Sequence, residues 1–201
     1  MRTEIITLTD AQLIGIAKEI AFNEAHVECP KHWAENYVER IVKPVFIEKK
    51  SPDAYQKAAL DNMIGEFGLC TCNIPNHNCA TCAEQNFGTC SSKTFTYVIA
   101  GMYKGGDVPE GMRLFPLKSG RWLKVYFVGG MKAFQEQFKK FHTEWLPQHP
   151  EYRWADNSSS LEWYGSGPDV NSPDYQCGIM MPLEDISAPQ PYVQDADRAK
   201  S

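Results

Sequence analysis

The chain has 201 residues, of which 43% are hydrophobic, and a formal net charge of −5 at pH 7. This length and composition support a sizeable core, and we expect a single domain over residues 1–185 followed by a flexible polar tail at 186–201. Lysine and arginine are dispersed along the chain, which argues against direct binding to nucleic acid or to anionic lipid. No apolar run reaches the roughly 18 residues of a membrane helix, and charges stand where a signal peptide would be apolar. We therefore expect a cytoplasmic protein without a membrane partner.

The first half of the chain predicts a strand, a helix and two further strands, with one extra helix inserted. The corresponding ranges are 3–22, 30–42, 66–72 and 93–103, and the extra helix falls at 52–64. A proline at the first turn is predicted to start the first helix, and Trp33, Tyr37 and Ile41 lie on one stripe of it. In the last of these strands Tyr97 and Ile99 share one face, because side chains alternate along a strand.

A cysteine-rich insertion, at about 69–92, separates the last two of these strands. Its candidate metal ligands are Cys70, Cys72, Cys79, Cys82 and Cys90, with His77 in reserve. A Cys-x-x-Cys turn places two thiolates on one tetrahedral metal, and a cytosolic setting favours a metal over a disulfide. A structural zinc site that uses four of the five thiolates is the leading interpretation. A loop of free thiols and a redox pair at Cys79 and Cys82 are the alternatives.

The second half of the chain repeats the order strand, helix, strand, strand. Strand material is predicted at 112–115, 121–129, 161–164 and 175–183, and the helix at 131–145. Phe134, Phe138, Phe141 and Trp145 form the apolar stripe of this helix, and we expect the three phenylalanines to be scaffold. The halves are therefore predicted to be two copies of one structural unit.

Several short motifs follow one another in a fixed order between residues 99 and 164. They are Ile99-Ala100-Gly101, Val108-Pro109-Glu110-Gly111-Met112, Tyr126-Phe127-Val128-Gly129-Gly130, Glu144-Trp145-Leu146-Pro147 and Leu161-Glu162-Trp163-Tyr164. In this order they resemble the GyrI-like superfamily, the effector-binding domains of bacterial transcription activators of the AraC and MerR types. A weaker likeness runs back through residues 13–16 and 30–43, and the cysteine-rich insertion has no counterpart.

This resemblance implies both a fold and a function. The fold would be α+β, with two pseudo-twofold-related β-α-β-β repeats that form a cupped antiparallel sheet around a central ligand cleft. Regulators of this family join the domain to a helix-turn-helix unit, whereas few residues precede position 13 here. We therefore expect a stand-alone module that binds a small planar, apolar or cationic molecule and is linked to transcriptional regulation or multidrug sensing.

The candidates for ligand contact carry an aromatic ring, a carboxylate or a polarisable thioether. They are Trp33, Tyr97, Tyr103, Trp122, Phe127, Glu144, Trp145, Glu162, Tyr164 and Met180. Aromatic faces stack on planar ligands and attract cations, and a carboxylate in an apolar cup selects positive charge. Glu162 is the stronger acidic candidate, because it lies between apolar neighbours in the strand that resembles the family's acidic-aromatic strand.

The last strand departs from the family pattern, in which an acidic residue is common. Here it runs Gly178-Ile179-Met180-Met181-Pro182, so we expect a second pocket carboxylate to be missing. The missing acid weakens the case for a strong preference for cationic ligands. It also weakens the case for hydrolysis, because the superfamily members that open strained rings rely on acidic pocket residues.

The alternatives are a small-molecule hydrolase that uses Glu162 with a nearby tyrosine, and an inhibitor that binds a protein partner; a homodimer is also compatible. No catalytic motif such as GxSxG, a P-loop or HExxH occurs, so apart from zinc no cofactor is expected.

Overall fold

The structure is a computed structural model that describes residues 1–72, 93–155, 159–167 and 169–184. Its strands are β1 (Arg2–Leu8), β2 (Ala11–Ala21), β3 (Phe67–Cys72), β4 (Thr94–Met102), β5 (Arg113–Leu117), β6 (Gly120–Phe127), β7 (Ser160–Tyr164) and β8 (Cys177–Pro182). They form one antiparallel sheet in the order β1-β6-β8-β7-β3-β4-β2-β5. Two residues join β1 at one end of this order to β2 near the other end, so the sheet has to curl into a half-barrel.

Two long helical arms and one short helix cover one face of the sheet. The first arm is α1 (Ala25–Trp33) with its π-helical continuation (Ala34–Ile47), the short helix is α2 (Ala54–Asp61), and the second arm is α3 (Gly130–Lys140) with a π-helical turn (Phe141–Trp145). A capping box starts α2. The Asp53 side chain accepts a hydrogen bond from the Gln56 backbone N–H, and the Gln56 side chain accepts one from the Asp53 backbone N–H. Pro30 lies inside α1, which begins at Ala25 directly after a short 3-10 turn, so the prediction that this proline starts the helix is wrong.

The two halves of the chain repeat one unit, as the sequence predicts. The first unit is β2, α1, β3 and β4, and the second is β6, α3, β7 and β8; β3 and β7 pair at the centre of the sheet. Each unit is flanked by an edge strand that lies next to the other unit in sequence. β1, which precedes the first unit, pairs with β6 of the second unit, and β5, which precedes the second unit, pairs with β2 of the first. The Asp10 side chain accepts a hydrogen bond of 2.8 Å from the Ser119 backbone and so ties together the two short connections, between β1 and β2 and between β5 and β6. This arrangement confirms the predicted α+β fold.

Three hydrophobic cores fill the two faces of the sheet. The first arm covers a core that contains Ile41 and Tyr97, and the second arm covers a core that contains Leu123 and Phe134. The third core occupies the opposite face and contains Trp122 among other residues. Alternation along each strand therefore decides whether a side chain meets the helices or the inside of the half-barrel.

Parts of the predicted organisation lie outside the described residues. Residues 69–72 of the predicted insertion belong to β3, whereas residues 73–92 and the predicted tail at 186–201 are beyond what the structure describes. Within the described ranges, no helix combines the length and the hydropathy needed to cross a membrane.

Candidate ligand-binding site

A cavity of about 1330 Å³ lies between the two helical arms and the sheet face that they cover. Its floor comes from the central strands β3, β4, β7 and β8, and its walls come from the two arms. The volume exceeds the roughly 300–1,000 Å³ that is typical of small-molecule sites. Val38, Phe46 and Met63 are exposed and also line the cavity, so it opens to solvent at this rim.

Glu162, on β7, is the acidic centre of the cavity floor. Its Oε2 accepts hydrogen bonds of 2.6 Å from the Tyr97 hydroxyl on β4 and of 2.6 Å from the Tyr164 hydroxyl on β7. The Trp33 indole, on the first arm, donates a hydrogen bond of 3.0 Å to the Tyr97 hydroxyl oxygen. Both phenols thus point their protons at one carboxylate oxygen, and the other oxygen, Oε1, has no hydrogen bond from the described residues.

A glycine on the neighbouring strand makes room for this cluster. Gly68 on β3 stands opposite Glu162 on β7. A Cβ at Gly68 would lie 2.5 Å from Glu162 Oε2 and 2.6 Å from the Tyr97 hydroxyl, closer than real Cβ contacts come. The cluster can therefore close over β3 only because position 68 lacks a side chain.

The electrostatics of the cluster are set by the burial of Glu162. Burial raises the pKa of Glu162, and the hydrogen bonds from Tyr164 and Tyr97 oppose that rise in pKa. Burial and the Glu162 charge raise the pKa of both phenols well above 10, so they remain donors. No lysine or arginine from the described part of the chain lines the cavity, and a cation that enters would be the partner that the carboxylate otherwise lacks.

Aromatic rings surround the carboxylate on both sides. Trp33 meets Tyr164 and Tyr37 edge to face, with ring centroids 5.3 Å apart in each pair. On the second arm Phe134 lies 6.0 Å from Tyr164 and stacks with Phe138. Such rings offer flat faces to planar ligands and attract cations through their quadrupoles.

The whole described chain matches a family model. The model is that of the GyrI-like small molecule binding domain, and it matches residues 1–184. The chain belongs to this family. No curated protein matches this GyrI-like domain significantly.

Solved structures share the fold of this GyrI-like domain. SAV2435 bound to tetraphenylphosphonium is 18% identical, with 92% of this chain and 94% of that chain covered and a TM-score of 0.61. A putative bacterial transcription regulation protein from Staphylococcus aureus MU50 is 19% identical, with 92% and 99% covered and a TM-score of 0.56. The EcmrR C-terminal domain is 10% identical, with 92% and 98% covered and a TM-score of 0.51.

The structure brings four of the ten predicted ligand-contact residues together in the GyrI-like cavity. They are Trp33, Tyr97, Glu162 and Tyr164, and hydrogen bonds connect Trp33 on the first arm to the three residues on the cavity floor. The other six do not line the cavity.

Trp122 and Met180 are on the wrong face of the sheet, which corrects the prediction that they face the cleft. Both are buried in the third core, where Trp122 is 3% and Met180 is 6% exposed. Along β6 and β8 alternate side chains point to opposite faces, and the neighbours Leu123 and Ile179 are the ones that meet the helical side.

The remaining four predicted contacts are also placed elsewhere. Phe127 packs beneath the second arm, 5.2 Å from Phe134, and Trp145 lies in the second core, stacked on His149 at 3.8 Å. Tyr103 donates its hydroxyl hydrogen bond to the Gly106 carbonyl at the end of β4, and Glu144 is exposed on the second arm. The prediction that these side chains face the cleft is therefore corrected as well.

Sequence reasoning missed several lining residues. Phe134 and Phe138 line the cavity instead of serving only as scaffold, and His142 follows them on the same stripe because the arm widens into a π-helical turn from Phe141. Burial lowers the pKa of His142 to about 4, so its ring is neutral at physiological pH. Tyr37 could have been found, since it lies one step along the stripe of Trp33.

The cavity also has a second acidic lining residue, which corrects the expectation that a second pocket carboxylate is missing. The last strand indeed lacks an acid, but Glu66, immediately before β3, lines the cavity. An isolated glutamate at a strand start carries no sequence signal for this role, because only strand pairing places it there.

The predicted zinc ligands are only partly within the described residues. Cys70 lies on β3 and lines the cavity beside the first core, whereas Cys79, Cys82 and Cys90, and the side chain of Cys72, are outside what the structure describes. No group of three or more metal-ligating side chains occurs among the residues that are described.

Proposed function

We propose that this GyrI-like domain binds aromatic organic cations in the cavity between its helical arms, as an effector-binding module that senses such compounds for transcriptional regulation. One observation carries the proposal: the Glu162 carboxyl group lines an aromatic cavity that no described lysine or arginine lines. A cation that reaches Oε1 would gain a charge partner and ring contacts in the same place.

The neighbouring structures support the proposal in one respect. SAV2435, which shares the fold, is bound to tetraphenylphosphonium, a bulky cation with four aromatic rings. A cavity of about 1330 Å³ with aromatic walls is compatible with a guest of that class. The link to transcription rests on the family resemblance.

The test compares a cation with a neutral analogue of similar shape. Isothermal titration calorimetry with tetraphenylphosphonium and with triphenylphosphine oxide should show tighter binding of the cation. Glu162→Gln keeps the acceptor for both phenols but removes the charge, and we expect it to weaken cation binding about tenfold or more. Glu144→Gln removes the same charge at an exposed position and should bind like the natural protein. Equal binding of the cation by Glu162→Gln, or no binding by the natural protein, would contradict the proposal.

Hydrolysis is a second candidate function, favoured by the carboxyl cluster itself. A glutamate with a raised pKa that is held by two phenols suits general acid or base chemistry. Product formation from strained-ring compounds, followed by mass spectrometry, should occur with the natural protein and disappear in Glu162→Gln. Binding without any product would leave the sensor function in place and remove this candidate.

A further inference from the structure

Glu66 stands on the same face of the sheet as the acidic cluster. Glu66, immediately before β3, continues the alternation of Gly68 and Cys70; Glu66 and Cys70 line the cavity, and Gly68 lies against Glu162. The Tyr164 backbone donates a hydrogen bond of 2.9 Å to the Glu66 carbonyl, which extends the β3–β7 pairing by one more step. Because Gly68 is opposite Glu162, Glu66 is the diagonal neighbour of Glu162 across this pair.

That register sets the separation of the two acids. Diagonal neighbours across an antiparallel pair lie roughly 7–8 Å apart, with their Cβ atoms somewhat closer, which is within reach of long side chains. Glu66 makes no ion pair with a described residue, and no described lysine or arginine lines the cavity. Two acidic side chains therefore share one cavity that no described lysine or arginine lines.

An aromatic bridge connects the surroundings of the two acids. The Tyr37 hydroxyl lies against Gly65, the residue before Glu66, since a Cβ at Gly65 would be 2.5 Å from it, and burial, followed by the charge of Glu66, raises the pKa of Tyr37. Tyr164 bonds to Glu162, and Trp33 contacts both tyrosines with centroid distances of 5.3 Å. Trp33 therefore lies between the two tyrosines that adjoin the acids.

We propose that Glu66 is a second charge-recognition residue and that the cavity prefers rigid aromatic dications to monocations of the same shape. This inference rests on the proposed function, since Glu162 takes one cationic centre and Glu66 takes the other. A dication relieves both negative charges at once, whereas a monocation leaves one of them without a partner.

The experiment uses two matched probes and two matched variants of the full chain. The dication is 1,1′-dimethyl-4,4′-bipyridinium, and the monocation is 1-methyl-4-phenylpyridinium, which keeps the two linked rings but has one charge. Calorimetric titration at low ionic strength should show the dication binding about tenfold more tightly to the natural protein. Glu66→Gln should abolish this preference, because it lowers the affinity for the dication more than the affinity for the monocation, and Glu144→Gln should preserve the preference.

The possible failures are distinguishable. If the monocation binds through Glu162 but the dication shows no advantage, or if Glu66→Gln retains the advantage, the inference is overturned and the proposed function stands. If neither probe nor tetraphenylphosphonium binds, the proposed function fails and the inference fails with it. Thermal unfolding of Glu66→Gln, with a melting temperature close to that of the natural protein, establishes that any loss of preference is local.

Discussion

Gly68 and Glu162 face each other across the central strand pair, and the hydrogen atom that serves as the Gly68 side chain leaves the space in which Glu162 meets Tyr97 at 2.6 Å. The position joins the two halves of the domain, since β3 belongs to the first and β7 to the second. The acidic centre of the cavity is therefore a product of the pairing between the repeats.

Gly68→Ala is expected to separate the carboxylate from the phenols. The added Cβ would lie 2.5 Å from Glu162 Oε2, so the side chains must shift, at a stability cost of about 1–3 kcal/mol. We expect tetraphenylphosphonium affinity to fall as well, measured by calorimetry beside a denaturant titration. Gly167→Ala is the matched control, because its Cβ would meet only ordinary contacts at 3.5 Å. Unchanged affinity in Gly68→Ala would show that the cluster geometry does not matter for binding.

Cation affinity should depend on pH through Glu162. Burial holds its pKa above the ordinary value, and a cation binds the ionised form, so affinity should fall as pH decreases toward and below that raised pKa. Titration of tetraphenylphosphonium between about pH 4 and 8 measures the midpoint. Tyr97→Phe removes a hydrogen bond that lowers the pKa of Glu162, so its midpoint should move to higher pH. A profile that is as flat in the natural protein as in Glu162→Gln would refute this prediction.

The same carboxyl group should reduce stability at neutral pH. A pKa that is raised in the folded state means that the folded protein retains a proton which the unfolded chain releases, so stability falls as pH rises from the ordinary value near 4.5 toward the raised pKa. Glu162→Gln removes this penalty. We expect its melting temperature to exceed that of the natural protein near neutral pH, with the gain vanishing in acid. If the variant is less stable at neutral pH, the hydrogen bonds to the carboxylate stabilise the folded state by more than the burial of its charge destabilises it.

The zinc site in the cysteine-rich insertion stays a prediction. Elemental analysis of protein purified under reducing conditions without chelator should give about one zinc per chain, because a tetrahedral site takes one ion. Cys79→Ser should lower that content, whereas Cys29→Ser, a change at a cavity thiol whose pKa burial raises to about 12, should leave it unchanged. A metal content near zero in the natural protein would exclude the site.

The strands and helices could be predicted because their periods are local. Tyr97 and Ile99 alternate with Val98 as the sequence predicts, and the stripe of Trp33, Tyr37 and Ile41 packs inward. The start of the first arm could not be located from Pro30, because the preceding turn and helix lack a comparable signal.

The partition of aromatic residues between cavity and core was less accessible from sequence. Trp122 and Trp33 are equally plausible pocket rings as isolated residues, yet one is buried inside the half-barrel and the other borders the cavity. Period alone divides a strand into two faces, and it does not say which face the helices will cover.

The sequence by itself determined the repeated strand–helix–strand–strand unit, the family and the acid on the acidic-aromatic strand, because each depends on residues that are close along the chain. Only the tertiary structure decided that Glu162, Tyr97 and Trp33 meet and that Glu66 lines the same cavity. Those contacts cross between strands and arms far apart in sequence, and their geometry depends on the register of β3 against β7 and on the room left by Gly68.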